Sequence, residues 1–115
     1  MTLKIKRVYE AVDEADGHRF LVDRLWPRGI KKSALRMDGW IKDVAPSTEL
    51  REWFNHEPAK WNEFRDRYFS ELESKPGTWK PILDSHRHGT VTLLYSAKEA
   101  EFNQAVALVE FLKSL

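Results

Sequence analysis

Phe20-Leu21-Val22 sets apolar side chains at three consecutive positions and then runs without a spacer into Asp23-Arg24-Leu25-Trp26-Pro27-Arg28-Gly29. Side chains of a strand alternate between two faces, so an unbroken apolar run needs cover on both, the condition of a central strand in a layered α/β sheet. Charge this close to a buried strand is costly unless it is paired or used. One stretch therefore constrains the fold and marks a site.

The elements around it can be read in order. Residues 3 to 9 alternate as a strand, and Asp16-Gly17 is a turn signal before Phe20, which predicts a hairpin. A short third strand is expected near Trp40-Ile41-Lys42. Ser47 is expected to cap a helix carrying Leu50, Trp53 and Phe54. A second helix opens at Pro58 with Trp61, Phe64, Tyr68, Phe69 and Leu72 on one stripe and stops at Pro76-Gly77. Thr78 then caps a third, with Trp79, Ile82, Leu83 and His86 at helical spacing and Gly89 as its stop. Val91-Thr92-Leu93-Leu94-Tyr95 is the clearest strand. The last helix is expected from Glu99 to Leu112, with Phe102, Val106, Val109 and Leu112 inward and Phe111 on the opposite face as a small contact patch.

These elements predict one three-layer α/β domain over residues 1–115, with a small mixed, mainly parallel sheet and helices on both faces. The connection from Trp26 to Gly39 is the only long one, and long loops in compact domains tend to carry function.

Nineteen basic residues oppose eighteen acidic ones, a net charge of +1, so a preference for anions has to be local. That balance disfavours nucleic acid and anionic membrane as partners. There is no cysteine, which excludes disulfides, thiolate metal sites and thiol nucleophiles. No segment has the apolar length of a signal peptide or membrane span, and a cytoplasmic protein is expected.

Three motifs occur in order: Val22-Asp23-Arg24-Leu25-Trp26-Pro27-Arg28-Gly29, Asp38-Gly39-Trp40 through Ala45-Pro46-Ser47, and Leu93-Leu94-Tyr95-Ser96-Ala97-Lys98. With Leu50-Arg51-Glu52-Trp53-Phe54, Trp61, Phe64, Tyr68 and Asn103, they make the chain resemble the domain of unknown function family 488, in its YeaO-like branch, over nearly its full length. The resemblance implies a compact α/β fold and assigns no catalytic residue. The wider family carries a cysteine near the end of its last core strand and a Cys-His-Arg element soon after. Here Tyr95-Ser96 and Glu101-Phe102-Asn103 stand in that region, a departure that counts against thiol chemistry.

The residues themselves suggest a polar cleft at the strand ends, lined by Asp23, Arg24, Trp26, Arg28, Ser47, Ser96 and Lys98. Arg24 and Arg28, with Lys31 and Lys32 behind them and the helix start at Ser47, suit a small anion such as a phosphate or nucleotide. Against this, Arg24 can simply pair with Asp23 or Asp43, and Trp26 and Pro27 can cap the core. Ser96 and Lys98 lack a nucleophile elbow, so a capping role for Ser96 outweighs catalysis. His86-Arg87-His88 complements a helix dipole better than it holds a metal, and His56 reads as a turn or rim residue. Trp53, Trp61 and Trp79 belong to core stripes, which leaves Trp26 and Trp40 at a ligand's edge. Asp23 and Asp43 can form an acid pair, but arginine partners such as Arg24 or Arg51 are the simpler account.

The reading is thus an anion-binding domain with no cofactor or metal. Its rival is a non-catalytic interaction module using the Trp26–Gly39 loop and the Phe111 face; a nucleic-acid-associated module comes third. Whether the chain is a monomer or a weak dimer is left open.

Overall fold

A computed structural model describes residues 2–115 of the chain. Strands β1 (Leu3–Arg7), β2 (His18–Leu21), β3 (Gly39–Trp40) and β4 (Val91–Tyr95) form one sheet in the order β1-β4-β2-β3. The helices are α1 (Thr48–Phe54), α2 (Trp61–Glu73), α3 (Pro76–His86) and α4 (Gln104–Lys113).

The expected α/β architecture is present, and its sheet is parallel at every pairing: Leu3 lies opposite Val91, His18 opposite Val91, and Phe20 opposite Gly39. No β1–β2 hairpin forms. All five residues of β4 are buried, and a strand that apolar has to sit at the centre, so it displaces β2 from β1. Gly17 ends a 3-10 turn at Glu14–Asp16 with φ 64°, and a Cβ there would lie 2.1 Å from the Thr90 carbonyl oxygen. Asp16-Gly17 does turn the chain, but into a crossover instead of a hairpin.

Residue alternation splits the core in two. Phe20, Val22, Val91, Leu93 and Tyr95 face a large cluster to which all four helices contribute. Val8, Leu21 and Leu94 face the other way and meet Trp26, Ile30, Leu35, Met37 and Trp40. The layer on this second face, expected to be helical, is therefore irregular chain from the long loop. Packing is what that loop supplies: Trp26, Ile30, Leu35 and Met37 are partly buried against the sheet. Farther along the same face, Asp16 accepts from Lys6 Nζ (2.9 Å) and Arg19 Nη1, and its backbone carbonyl accepts from Thr92 Oγ1. Burial opposes the charge on Asp16, but the Lys6 hydrogen bond, the Asp13 amide and Arg19 outweigh it and hold its carboxyl below the usual carboxylate range.

Helix boundaries follow local chemistry. Ser47 caps α1 by accepting from the Leu50 amide, and Asn55, in the left-handed region at φ 47°, closes it. Pro58 begins a 3-10 turn that leads into α2. Pro76, expected to end α2, instead sits in the first turn of α3, where its missing N–H costs nothing. Thr78 is consequently inside α3, donating to the Lys75 carbonyl.

The final helix is shorter than expected, because Asn103 caps it by accepting from the Val106 amide. Its phase also differs. Ala105, Leu108, Phe111 and Leu112 are buried, while Val106 and Val109 are only partly so. Phe111, 3% exposed, packs edge-on against Phe69 and Trp79 at 5.4 Å. The apolar face that an interaction module would have offered is part of the core. No helix among the described residues is long and apolar enough to cross a membrane.

Candidate functional site

Because β1, β4 and β2 run parallel, their carboxyl ends open together. Arg7 ends β1, Ser96 follows β4, and Asp23 follows β2 by two residues. All three line one cleft of about 480 Å³, closed by the Leu25–Arg28 segment, Ala45-Pro46, the end of α1 and the start of α4. Ligands of open α/β sheets collect outside the carboxyl ends of the strands.

Asp23 is the buried acid of this cleft, 8% exposed. Its Oδ2 accepts from the Ser96 amide (3.0 Å) and the Ser96 hydroxyl (2.5 Å), and its Oδ1 accepts from Gln104 Nε2 (2.5 Å). Burial pushes its carboxyl above the usual value, against these hydrogen bonds and the nearby charge of Arg51. The backbone carbonyl of Asp23 accepts from Trp40 Nε1 at 2.7 Å.

Arg24 turns away to hold the chain before α1. Its Nη2 donates to the carbonyls of Ala45 (3.1 Å) and Pro46 (3.3 Å), and Asp43 stands 4.0 Å from Nη1. Lys75 Nζ reaches the same Ala45 carbonyl and Tyr68 Oη the Val44 carbonyl, so three side chains pin one irregular segment. Burial lowers the Lys75 ammonium below its ordinary range, and desolvation raises the enclosed Tyr68 phenol well above its own. Arg7 is used similarly, donating to the carbonyls of Ser96 and Ala97.

Three other cations line the cleft without an ion-pair partner among the described residues: Arg28, Arg51 and Lys98. All three are exposed, whereas Pro27, Ala45, Phe54 and Phe64 are buried at the floor. The arrangement is a charged rim over an apolar base.

Of the residues proposed from sequence, Asp23, Arg24, Trp26, Arg28, Ser96 and Lys98 come together here. Ser47 does not. Its amide and hydroxyl both donate to Glu71, and it borders a separate shallow groove. Ser96 caps no helix; its hydroxyl is committed to Asp23. Trp26 lines the cleft but donates to the Ile30 carbonyl and lies edge-on to Trp40 at 5.3 Å. Lys31 and Lys32 do not line it. His56 does, and also makes a turn at φ 54°. Sequence reasoning misses Arg7, Tyr9 and Gln104. A hairpin would have put the end of β1 at the opposite end of the sheet, so the parallel order is the signal that finds Arg7. No group of three metal-ligating side chains occurs among the described residues.

The model of the inactive DUF488-N3 subclade matches residues 2–115. The chain belongs to this DUF488 family. It is 45% identical to "Uncharacterized protein YeaO" of Escherichia coli (strain K12) over the full length of both chains. Over 70 residues, 61% of this chain and 59% of the relative, it is 54% identical to an uncharacterized protein of Mycobacterium tuberculosis (strain ATCC 25618 / H37Rv), and equally to one of Mycobacterium bovis. No solved structure gives a significant match.

Proposed function

We propose that this DUF488 domain binds a small anion without transforming it, in the cleft at the carboxyl ends of β1, β4 and β2. One observation carries the reading: Arg28, Arg51 and Lys98 share that cleft with no carboxylate partner among the described residues. Asp23 lies beside them, but its oxygens accept from Ser96 and Gln104 and it forms no ion pair with any of the three. Arginine forks recognise phosphate and carboxylate in a planar, bidentate way, and cations over a partly dry floor act more strongly than in bulk water. Phosphate- and nucleotide-like ligands fit this chemistry. The description of the subclade as inactive supports binding over turnover.

Thermal shift across a panel of phosphates, nucleotides and carboxylates tests the proposal, since a ligand that binds only the folded state raises its apparent stability. At least one anion should raise the midpoint, and Arg28→Ala or Arg51→Ala should abolish the rise while the chain stays folded. A panel that shifts nothing in the unaltered protein, or shifts that survive both substitutions, would sink it.

A further inference from the structure

Four large apolar side chains are exposed among the described residues, Tyr9, Val12, Leu25 and Leu115, and two of the four line the cleft. Leu25 is 64% exposed and Tyr9 48%. Leu25 stands inside the charged motif, between Arg24 and Trp26, where a polar residue would cost nothing in packing. Apolar surface gathered at a concave site marks a surface that something apolar covers.

Tyr9 is held in place as well as exposed. Its hydroxyl donates to the Arg28 carbonyl at 2.8 Å, and the Arg7 guanidinium lies 4.7 Å from its ring centroid. Arg7 is in turn fixed by the Ser96 and Ala97 carbonyls. A ring fixed at its edge and held beside a cation is a prepared apolar contact surface, with little side-chain freedom left to lose on binding. Phe54 and Phe64, which also line the cleft, stack on each other at 4.3 Å. A bare phosphate would fill only a small part of about 480 Å³.

We infer that the ligand of this cleft is an organic anion with a flat aromatic body: its charged head is met by Arg28, Arg51 and Lys98, and its ring lies against Tyr9 and Leu25. The inference rests on the anion reading above and adds the chemical class of what the anion is attached to. The head group is a phosphate ester or a carboxylate, two chemistries that the same cations accept.

Calorimetric titration of the intact chain with matched probes separates the two claims. Inorganic phosphate is compared with phenyl phosphate, acetate with phenylacetate, and phenol serves as the uncharged control. In at least one pair the aromatic member should bind about tenfold or more tighter than its parent anion, as expected when several apolar carbons leave water. Phenol should not bind measurably. Whichever pair responds identifies the head group. Leu25→Ser, at an exposed position, should erase most of the aromatic preference, whereas Arg51→Ala should weaken both members alike. Equal affinities within each pair, with both members binding, would overturn the aromatic body and leave the anion reading intact. Phenol binding as tightly as the charged aromatics, or no probe binding at all, would overturn both.

Discussion

Ser96 donates twice to one oxygen of Asp23, from its backbone amide at 3.0 Å and from its hydroxyl at 2.5 Å. The residues follow the adjacent parallel strands β2 and β4, so the pair joins two strand ends at the point where the ladder stops. Gln104, at the start of α4, completes the lock from the helical layer.

Removing the acid should therefore loosen the cleft. Asp23→Ala leaves the Ser96 amide and the Gln104 side chain short of an acceptor, and chemical denaturation should show a loss of about 2–4 kcal/mol. Asp23→Asn keeps an acceptor and should lose less. Because burial raises the folded-state pKa of Asp23, its contribution is fully present below the unfolded value and declines as pH rises through the raised one. The Asn variant should lack that decline in stability measured from pH 3 to 7.

Asp16 should behave in the opposite sense. Its folded pKa is depressed below 3.8, so its contribution is present above that value and is lost as pH falls through the folded one. Asp16→Asn leaves Arg19 buried without its partner and should cost about 3–5 kcal/mol at neutral pH, measured by urea unfolding.

Arg24→Ala and Arg51→Ala should part company. Arg24 holds the Ala45 and Pro46 carbonyls, and its removal should lower stability by about 1–3 kcal/mol. Arg51 makes no such contact and should leave stability within about 0.5 kcal/mol while weakening anion binding. Parallel denaturation and titration of the two variants would show the split.

Phe111→Ala should destabilise by about 3–5 kcal/mol, because the ring is enclosed by Phe69 and Trp79. Were Phe111 a contact surface, the substitution would leave stability unchanged and alter self-association instead. Unfolding curves and sedimentation distinguish these outcomes.

Gly17→Ala should cost about 1–3 kcal/mol. The position combines a positive φ with a Cβ site 2.1 Å from the Thr90 carbonyl oxygen, so both backbone and neighbour would have to move. Gly77→Ala, where a Cβ meets nothing, is the matched control for a thermal melt.

Much of this fold is legible in local chemistry. The unbroken apolar runs at Phe20–Val22 and Val91–Tyr95 require central strands, Ser47 announces the start of α1, and the Trp61–Leu72 stripe specifies a buried helix face. Six of the seven residues read as a cleft lie along one. Local reading misassigns the positions where two partners compete for the same signal. Pro76 suits the end of one helix as well as the start of the next. Phe111 reads as outward when the inward face is anchored on Phe102, but Phe102 precedes the cap at Asn103 and does not share the helix's phase.

Local chemistry along the chain is enough to place most of the strands and helices, to exclude thiol chemistry, and to show that charge crowds the end of a central strand. Which of those charges are spoken for depends on the packed fold. Arg24 and Arg28 are the same residue type four positions apart, yet one is tied to the carbonyls before α1 and the other stands free on the rim. Their difference comes from what lies across the cleft, brought there by a parallel strand order that β4 imposes by taking the centre of the sheet. Strand order is settled by the burial of whole faces, a non-local quantity, and no spacing along the chain reports it.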